Sequence, residues 1–161
     1  AETPAAAPTN AAKRTLYSPV TGTVHPITEA PDEAFASKMM GDGFFIYPSK
    51  GEVLAPDDGE VVFVFDTKHA IGMKSADGME YLLHIGVDTV KLEGKGFEMH
   101  VAMGDRVKAG TPLVTFDRTV IHEAGYQDTV IMAVTNSGEY PLMKKTTGMD
   151  AKAGETPVLT F

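Results

Sequence analysis

The sequence predicts an all-β fold, an antiparallel β-sandwich or barrel-like structure with one or two short helices, and three observations predict it. Apolar residues come in short runs at 43–48, 53–55, 60–65, 113–116, 129–134 and 158–161. Sixteen glycines and ten prolines punctuate those runs. Many short strands at close turn spacing are the signature of a sandwich or barrel. The third observation is internal repetition. SPVTGTV at 18–24 matches APDDGEV at 55–61, and KAGTPLVTF at 108–116 matches KAGETPVLTF at 152–161 with one residue inserted. Each unit is a turn that launches a strand, so the fold is expected to contain two similar halves.

Residues 1–15, AETPAAAPTNAAKRT, lack apolar periodicity and read as a disordered Ala/Pro tail or interdomain linker. The folded domain is expected over 16–161. One short helix is expected over 31–40, PDEAFASKMM, where Pro and acids open it, Lys38 lies near its end and Gly41 caps it. The run 61–65, VVFVF, is apolar throughout and reads as a strand buried on both faces. Asp117 is placed to cap a second short turn through Val120, Ile121 and His122.

The chain has 161 residues, enough for one domain with a real core. Its net charge of −8 argues against a nucleic-acid backbone or an anionic membrane as main partner, and leaves room for a basic protein. With no cysteine there is no disulfide framework, thiol nucleophile or thiolate metal site. No apolar run approaches the roughly 20 residues of a membrane-crossing helix. The visible N-terminus lacks the charged-then-apolar pattern of a secretion signal, so a cytoplasmic protein, or a cytoplasmic domain of a larger permease, is expected.

Residues 65–90 read as one β-hairpin carrying His69 and His84. Apolar runs at 70–74 and 80–85 flank Ser75-Ala76-Asp77-Gly78, a turn-forming stretch. A four-residue loop, or a two-residue turn at Ala76-Asp77, sets His69 opposite His84. A two-residue turn at Asp77-Gly78 makes them diagonal neighbours. Either way both rings share a face, because strand side chains alternate. Opposed Cβ atoms sit roughly 5 Å apart and diagonal ones roughly 7 Å. Two rings at that spacing can hold one small anion. A three-residue loop would put them on opposite faces.

Other chemistries are poorly served. There is no His-x-His pair for zinc, and His69 with His84 supplies only two ligands, so no intrinsic metal is expected; a partner would have to complete such a site in trans. A zinc hydrolase-like domain is therefore the weaker alternative, and a non-catalytic regulatory binding module the other. No Gly-x-Ser-x-Gly elbow and no P-loop occur. Any phosphate handled here must arrive activated on another molecule, and no cofactor is expected. Thr67 shares the face of His69 and can fix its tautomer. Asp42, in the turn 41–43, is read as a rim residue beside exposed Phe44 and Phe45. Asp88 can orient an imidazole or meet an Arg of a partner. His25, His100 and His122 are read as surface residues.

LHIGVDTV at 83–90, FDTKHA at 65–70, GDG at 41–43, Ala55-Pro56 and GDRV at 104–107 together resemble, in order, the IIA domain of the glucose family of the bacterial phosphoenolpyruvate-dependent sugar phosphotransferase system. The resemblance spans about 16–161. It implies an antiparallel β-sandwich. It also implies that His84 accepts a phosphoryl group from the phosphohistidine of HPr and passes it to a cysteine of a IIB domain, which serves sugar uptake. His69 would steady that group without accepting it, and Thr67 would hold His69. Phe44, Phe45 and Val90 would form an apolar docking rim, with Asp42 and Asp88 meeting a partner's Arg. Fusion to, or docking on, a membrane IIC domain fits the linker-like tail.

Overall fold

The computed structural model describes residues 14–160. Residues 1–13, most of the expected tail, lie outside the described residues. Thr15 already belongs to the fold: β1 (Thr15–Tyr17) pairs with the last strand, and Arg14 forms an ion pair with Asp57.

The remaining strands are β2 (Gly22–Pro26), β3 (Asp42–Pro48), β4 (Glu52–Leu54), β5 (Gly59–Val64), β6 (Ala70–Ser75) and β7 (Glu80–Val87), then β8 (Phe97–Met99), β9 (Arg106–Val107), β10 (Pro112–Phe116), β11 (Gln127–Val134), β12 (Lys144–Lys145), β13 (Met149–Ala151) and β14 (Pro157–Thr160). Two short helices, α1 (Glu33–Ala36) and α2 (Arg118–Glu123), join them. An eight-stranded sheet runs β13-β2-β3-β11-β7-β6-β5-β9, and two three-stranded sheets run β1-β14-β12 and β4-β10-β8. Every pairing is antiparallel. The sandwich class expected from the strand pattern is the fold observed.

Alternation along the strands of the large sheet creates two unequal cores. Val24, Phe44, Ile46, Leu83, Ile85, Val130 and Met132 point inward, against Leu16, Val53, Leu113 and Val158 from the small sheets. Phe45, Ile131 and Ala133 point outward and form a second cluster with Ile27 and Phe35. Those last two residues come from the segment between β2 and β3, which holds a 3₁₀ turn (Ile27–Glu29) and α1. This segment is a cap laid on the outer face of the sheet. β11 is buried almost throughout because it runs mid-sheet with the main core on one side and the cap on the other.

The repeat has a structural counterpart. The Ser18 carbonyl accepts from Gly154 N–H, and the Ser18 N–H donates to the Thr156 carbonyl. The Ala55 carbonyl accepts from Gly110 N–H, and the Ala55 N–H donates to the Thr111 carbonyl. These are the residues that the two sequence matches equate. Thr156 and Thr111 also accept from Lys152 N–H and Lys108 N–H through their hydroxyls.

Both expected helices are present, the first shorter than expected and the second longer. Asp32 caps α1 by accepting from Ala34 N–H, and the helix ends at Ala36 with Ser37 as its C-cap; the left-handed Lys38, φ +65°, turns the chain away before Gly41, so Gly41 is not the cap. Asp117 caps α2 by accepting from Thr119 and Val120 N–H. The run 61–65 departs from expectation. Only Val61 is buried; Val62, Phe63 and Phe65 are exposed. β5 has only the two-residue β9 beyond it, and a bulge interrupts its pairing between Val61 and Phe63. Among the described residues no element covers Phe63 or Phe65.

Candidate functional site

The hairpin of β6 and β7 closes differently from the two-residue and four-residue turns expected. Ser75 pairs with Met79 across a three-residue loop, Ala76-Asp77-Gly78, in which Gly78 takes φ +98°. Gly78 N–H donates to the Ser75 carbonyl. A tight turn followed by a left-handed glycine is the usual build of such a loop. The register therefore sets Ala70, not His69, opposite His84. Strict alternation would send His69 to the inner face. It does not go there, because His69 precedes β6 in a bend. Lys68 has φ +62°, and the Lys68 N–H folds back on the Phe65 carbonyl. That bend swings the His69 ring onto the outer face. The two imidazoles meet edge to face, centroids 5.0 Å apart and planes at 87°.

The two rings are held differently on their inner sides. His69 Nδ1 lies 2.6 Å from Thr67 Oγ1. His84 Nδ1 is shielded from solvent on the side of the Gly86 backbone, outside hydrogen-bond geometry. His84 is half-buried and its Nδ1 is the shielded nitrogen, so its Nε2 faces outward. His69 is buried, with its Nδ1 engaged by Thr67. Phe35 packs on the His84 ring at 5.1 Å, and Phe65 on the His69 ring at 5.3 Å. The result is two imidazoles held in contact in an apolar surround.

Burial pushes the His84 pKa from 6.5 down to about 4, and the neighbouring His69 adds to that; Asp32, the Gly86 backbone and Asp88 pull the other way. Burial lowers the His69 pKa as well. Both rings are therefore neutral at pH 7, with a lone pair on one nitrogen. Between pH 6.5 and 4 the unfolded chain binds a proton at residue 84 that the folded chain does not. Stability is thus full above pH 6.5 and falls as the pH drops toward 4. The slope reaches at most roughly 1.4 kcal/mol per pH unit for one such proton. Chemical denaturation across this window is expected to show the decline, and His84→Gln is expected to flatten it.

Beyond His84 the chain turns sharply. Gly86 has φ +84°, and an added Cβ would lie 2.3 Å from Thr89 Cγ2 and 2.8 Å from the Gln127 carbonyl oxygen. The Thr89 hydroxyl donates back to the Ile85 carbonyl, and Asp88 opens the next 3₁₀ turn with φ +62°. Gly86→Ala is expected to cost about 2–3 kcal/mol, read as a lower denaturation midpoint, because backbone and neighbour both resist it.

The expected docking rim needs correction. Phe44 and Phe45 are 0% and 1% exposed: one fills the main core, the other lies under the cap, stacked on His25 at 5.1 Å. Two long-range coverings took both faces of β3, which a local pattern does not reveal. Asp42 is half-buried and already engaged by Lys145 at 2.5 Å and Lys38 at 3.7 Å. Burial opposes ionisation of Asp42, but Lys145 and Lys38 outweigh it and hold the carboxyl below its usual range. Val90 and Asp88 are exposed as expected. His100 and His122 are surface residues; His25 is half-buried between Phe45 and Tyr47.

Residues not anticipated from the sequence complete the surround: Phe35 and Asp32 from the cap, and exposed Phe63 and Phe65 at the end of β5. Among the described residues no three His, Asp or Glu side chains cluster as a metal site.

Fold and site together define an all-β protein that presents a pair of neutral histidines on an open sheet face. The chain belongs to the EIIA 1 family of the phosphoenolpyruvate-dependent sugar phosphotransferase system, whose family model matches residues 14–140. It is 46% identical over 147 residues to the PTS system glucose-specific EIIA component of Bacillus anthracis, covering 91% of this chain and 89% of that one. The protein of the same name from Halalkalibacterium halodurans is 44% identical over 146 residues, covering 91% and 84%. Among solved structures, glucose permease IIA from Mycoplasma capricolum superposes with a TM-score of 0.79 at 37% identity, covering 92% of this chain and 95% of that one. The family resemblance read from the motifs is thereby established.

Proposed function

We propose that this protein is a phosphoryl carrier in which His84 takes a phosphoryl group from the phosphohistidine of HPr and passes it to a cysteine of a IIB domain during sugar uptake. The single observation that carries this reading is the contact of two imidazoles whose Nδ1 atoms are respectively bonded to Thr67 and buried, which makes Nε2 the reacting nitrogen. In acceptance, the Nε2 lone pair of neutral His84 forms the new N–P bond as the donor's N–P bond breaks, and that bonding pair stays on the donor imidazole. In onward transfer, the cysteine sulfur attacks and the pair returns to His84. Such transfers depend on in-line placement and charge stabilisation rather than on acid–base chemistry by the protein.

His69 assists without accepting. With the Thr67 hydroxyl donating to Nδ1, the neutral His69 ring keeps its proton on Nε2 and donates it to a phosphoryl oxygen. Phe63, Phe65 and Val90, all exposed, form the apolar surround that meets partners and excludes water from the N–P bond. Asp88 and Asp32 supply the negative charge for a partner's Arg, since Asp42 is engaged by Lys145. No cofactor is required, and the carrier works on the cytoplasmic side of the membrane; no helix among the described residues is long and apolar enough to cross one.

The test is incubation with phosphoenolpyruvate, Enzyme I and HPr, followed by intact-mass measurement. One added phosphoryl group, localised to His84 and lost on mild acid treatment, is the expected result. No mass gain, or a gain localised elsewhere, overturns the reading.

A further inference from the structure

We propose that Phe35, carried by the cap between β2 and β3, is a positioning residue for the reaction: its ring is the wall that sets the orientation of the His84 imidazole. The inference rests on the carrier reading above and adds a part to it.

His84 lies on the outer face of the large sheet, in the row formed by Phe45, Ile131 and His84 on β3, β11 and β7. A side chain in the middle of an uncovered sheet face has free rotation about its Cα–Cβ and Cβ–Cγ bonds. Here that freedom is removed by two ring contacts. His69 stands against the His84 ring at 5.0 Å and 87°. Phe35 leans on it at 5.1 Å and 54°. His69 is free to meet the phosphoryl group. Phe35, 4% exposed, has no other task visible at the surface. It is buried in the small second core with Ile27, Phe45, Ile131 and Ala133, and Leu82, which lies two residues before His84 on the same face, packs against that core.

This second core is separate from the main one. It consists of a 3₁₀ turn and a one-turn helix held by the Asp32 cap, and its apolar side chains are shared with the sheet face beside His84. A four-residue helix has little stability of its own, so the cap is kept in place by this packing. The cap therefore holds Phe35 on the imidazole, and the imidazole in turn anchors the cap. In-line transfer is sensitive to small displacements of the nucleophile, and a misplacement of about 1 Å can cost on the order of a hundredfold. A rigid apolar wall on one side of the ring meets that demand while leaving Nε2 open. The charged and titratable groups that face His84 are His69, Asp32 and Asp88, with the Gly86 backbone beside Nδ1.

The experiment compares wild type, Phe35→Leu and Phe35→Ala. Rates of phosphoryl acceptance are measured against phospho-HPr concentration, and the His84 imidazole is titrated by NMR. For Phe35→Ala the maximal rate is expected to fall by about tenfold to a hundredfold with KM little changed. The His84 midpoint is expected to rise toward 6.5, because water reaches the ring. Phe35→Leu, which keeps the apolar cover but not the flat wall, is expected to leave the midpoint low and still lose rate. It is also the variant that decides the matter should Phe35→Ala not fold. Wild-type rates in Phe35→Leu, or a raised KM with unchanged maximal rate, would overturn the proposal; the second result would make Phe35 a docking residue. If wild type itself accepts no phosphoryl group, the carrier reading fails. The proposal, which depends on that reading, then falls with it, and the wild-type control tells this outcome from a failure of the wall alone.

Discussion

Replacing His84 with Gln is expected to abolish phosphoryl acceptance altogether. With phosphoenolpyruvate, Enzyme I and HPr present, the variant's mass stays at its starting value at every time point. The reason is electronic. The lone pair on a glutamine amide nitrogen is delocalised into its carbonyl, whereas a neutral imidazole offers an available pair on Nε2. Depression of the His84 pKa to about 4 keeps that pair free of a proton across the whole neutral range. Gln is polar and of similar reach, and His84 is half-buried at the sheet face, so the fold is expected to survive at neutral pH. An unchanged melting transition near pH 7.5 checks this. Persistent incorporation in a folded variant would move the nucleophile to another residue.

Replacing His69 with Gln is expected to separate the two halves of the cycle. The variant still takes one phosphoryl group on His84 but passes it to the IIB cysteine at least about a hundredfold more slowly, the scale seen when one positioned donor is removed. Glutamine retains an N–H but loses both anchors of the ring, the Thr67 hydroxyl at 2.6 Å and the Phe65 edge at 5.3 Å. Its donor is no longer held where the phosphoryl oxygens lie. The thiol acceptor brings no imidazole of its own, so the departing group has lost the donor that His69 would aim at it. The measurement is a chase: phosphorylated protein is mixed with the IIB domain, and loss of phosphohistidine is followed by mass. Normal transfer combined with defective sugar uptake would restrict His69 to docking.

Both results bear on how the site came to be legible. The histidines and Thr67 stood out because they lie on two short apolar runs around an obvious turn, and because their motifs match a family. Strand alternation across an even loop does not account for their adjacency, because the loop between β6 and β7 has three residues. The rings meet because Lys68, a non-glycine residue, adopts φ +62° and bends the chain just ahead of β6. A left-handed lysine has no local signature. Its conformation is imposed by the contacts on either side, and strained backbone of this kind is found where the surrounding structure over-determines it. Phe44 and Phe45 teach the same lesson from the other direction. Two successive aromatics on a strand look half-exposed by alternation, yet each face of β3 is covered by an element distant in sequence or belonging to the cap.

By itself the sequence determined the strand-rich class, the doubled turn-and-strand unit, the two capped helix starts and the identity of the motif residues. These follow from local forces: side-chain alternation, glycine and proline at turns, and carboxylates at helix N-termini. Tertiary structure alone decided that His69 turns outward, that Lys145 engages Asp42, that β5 leaves Phe63 and Phe65 uncovered, and that Phe35 lies on His84. Each of those depends on which distant segment covers a given face. Burial is a property of the pair of surfaces that meet, and a strand carries only one of them.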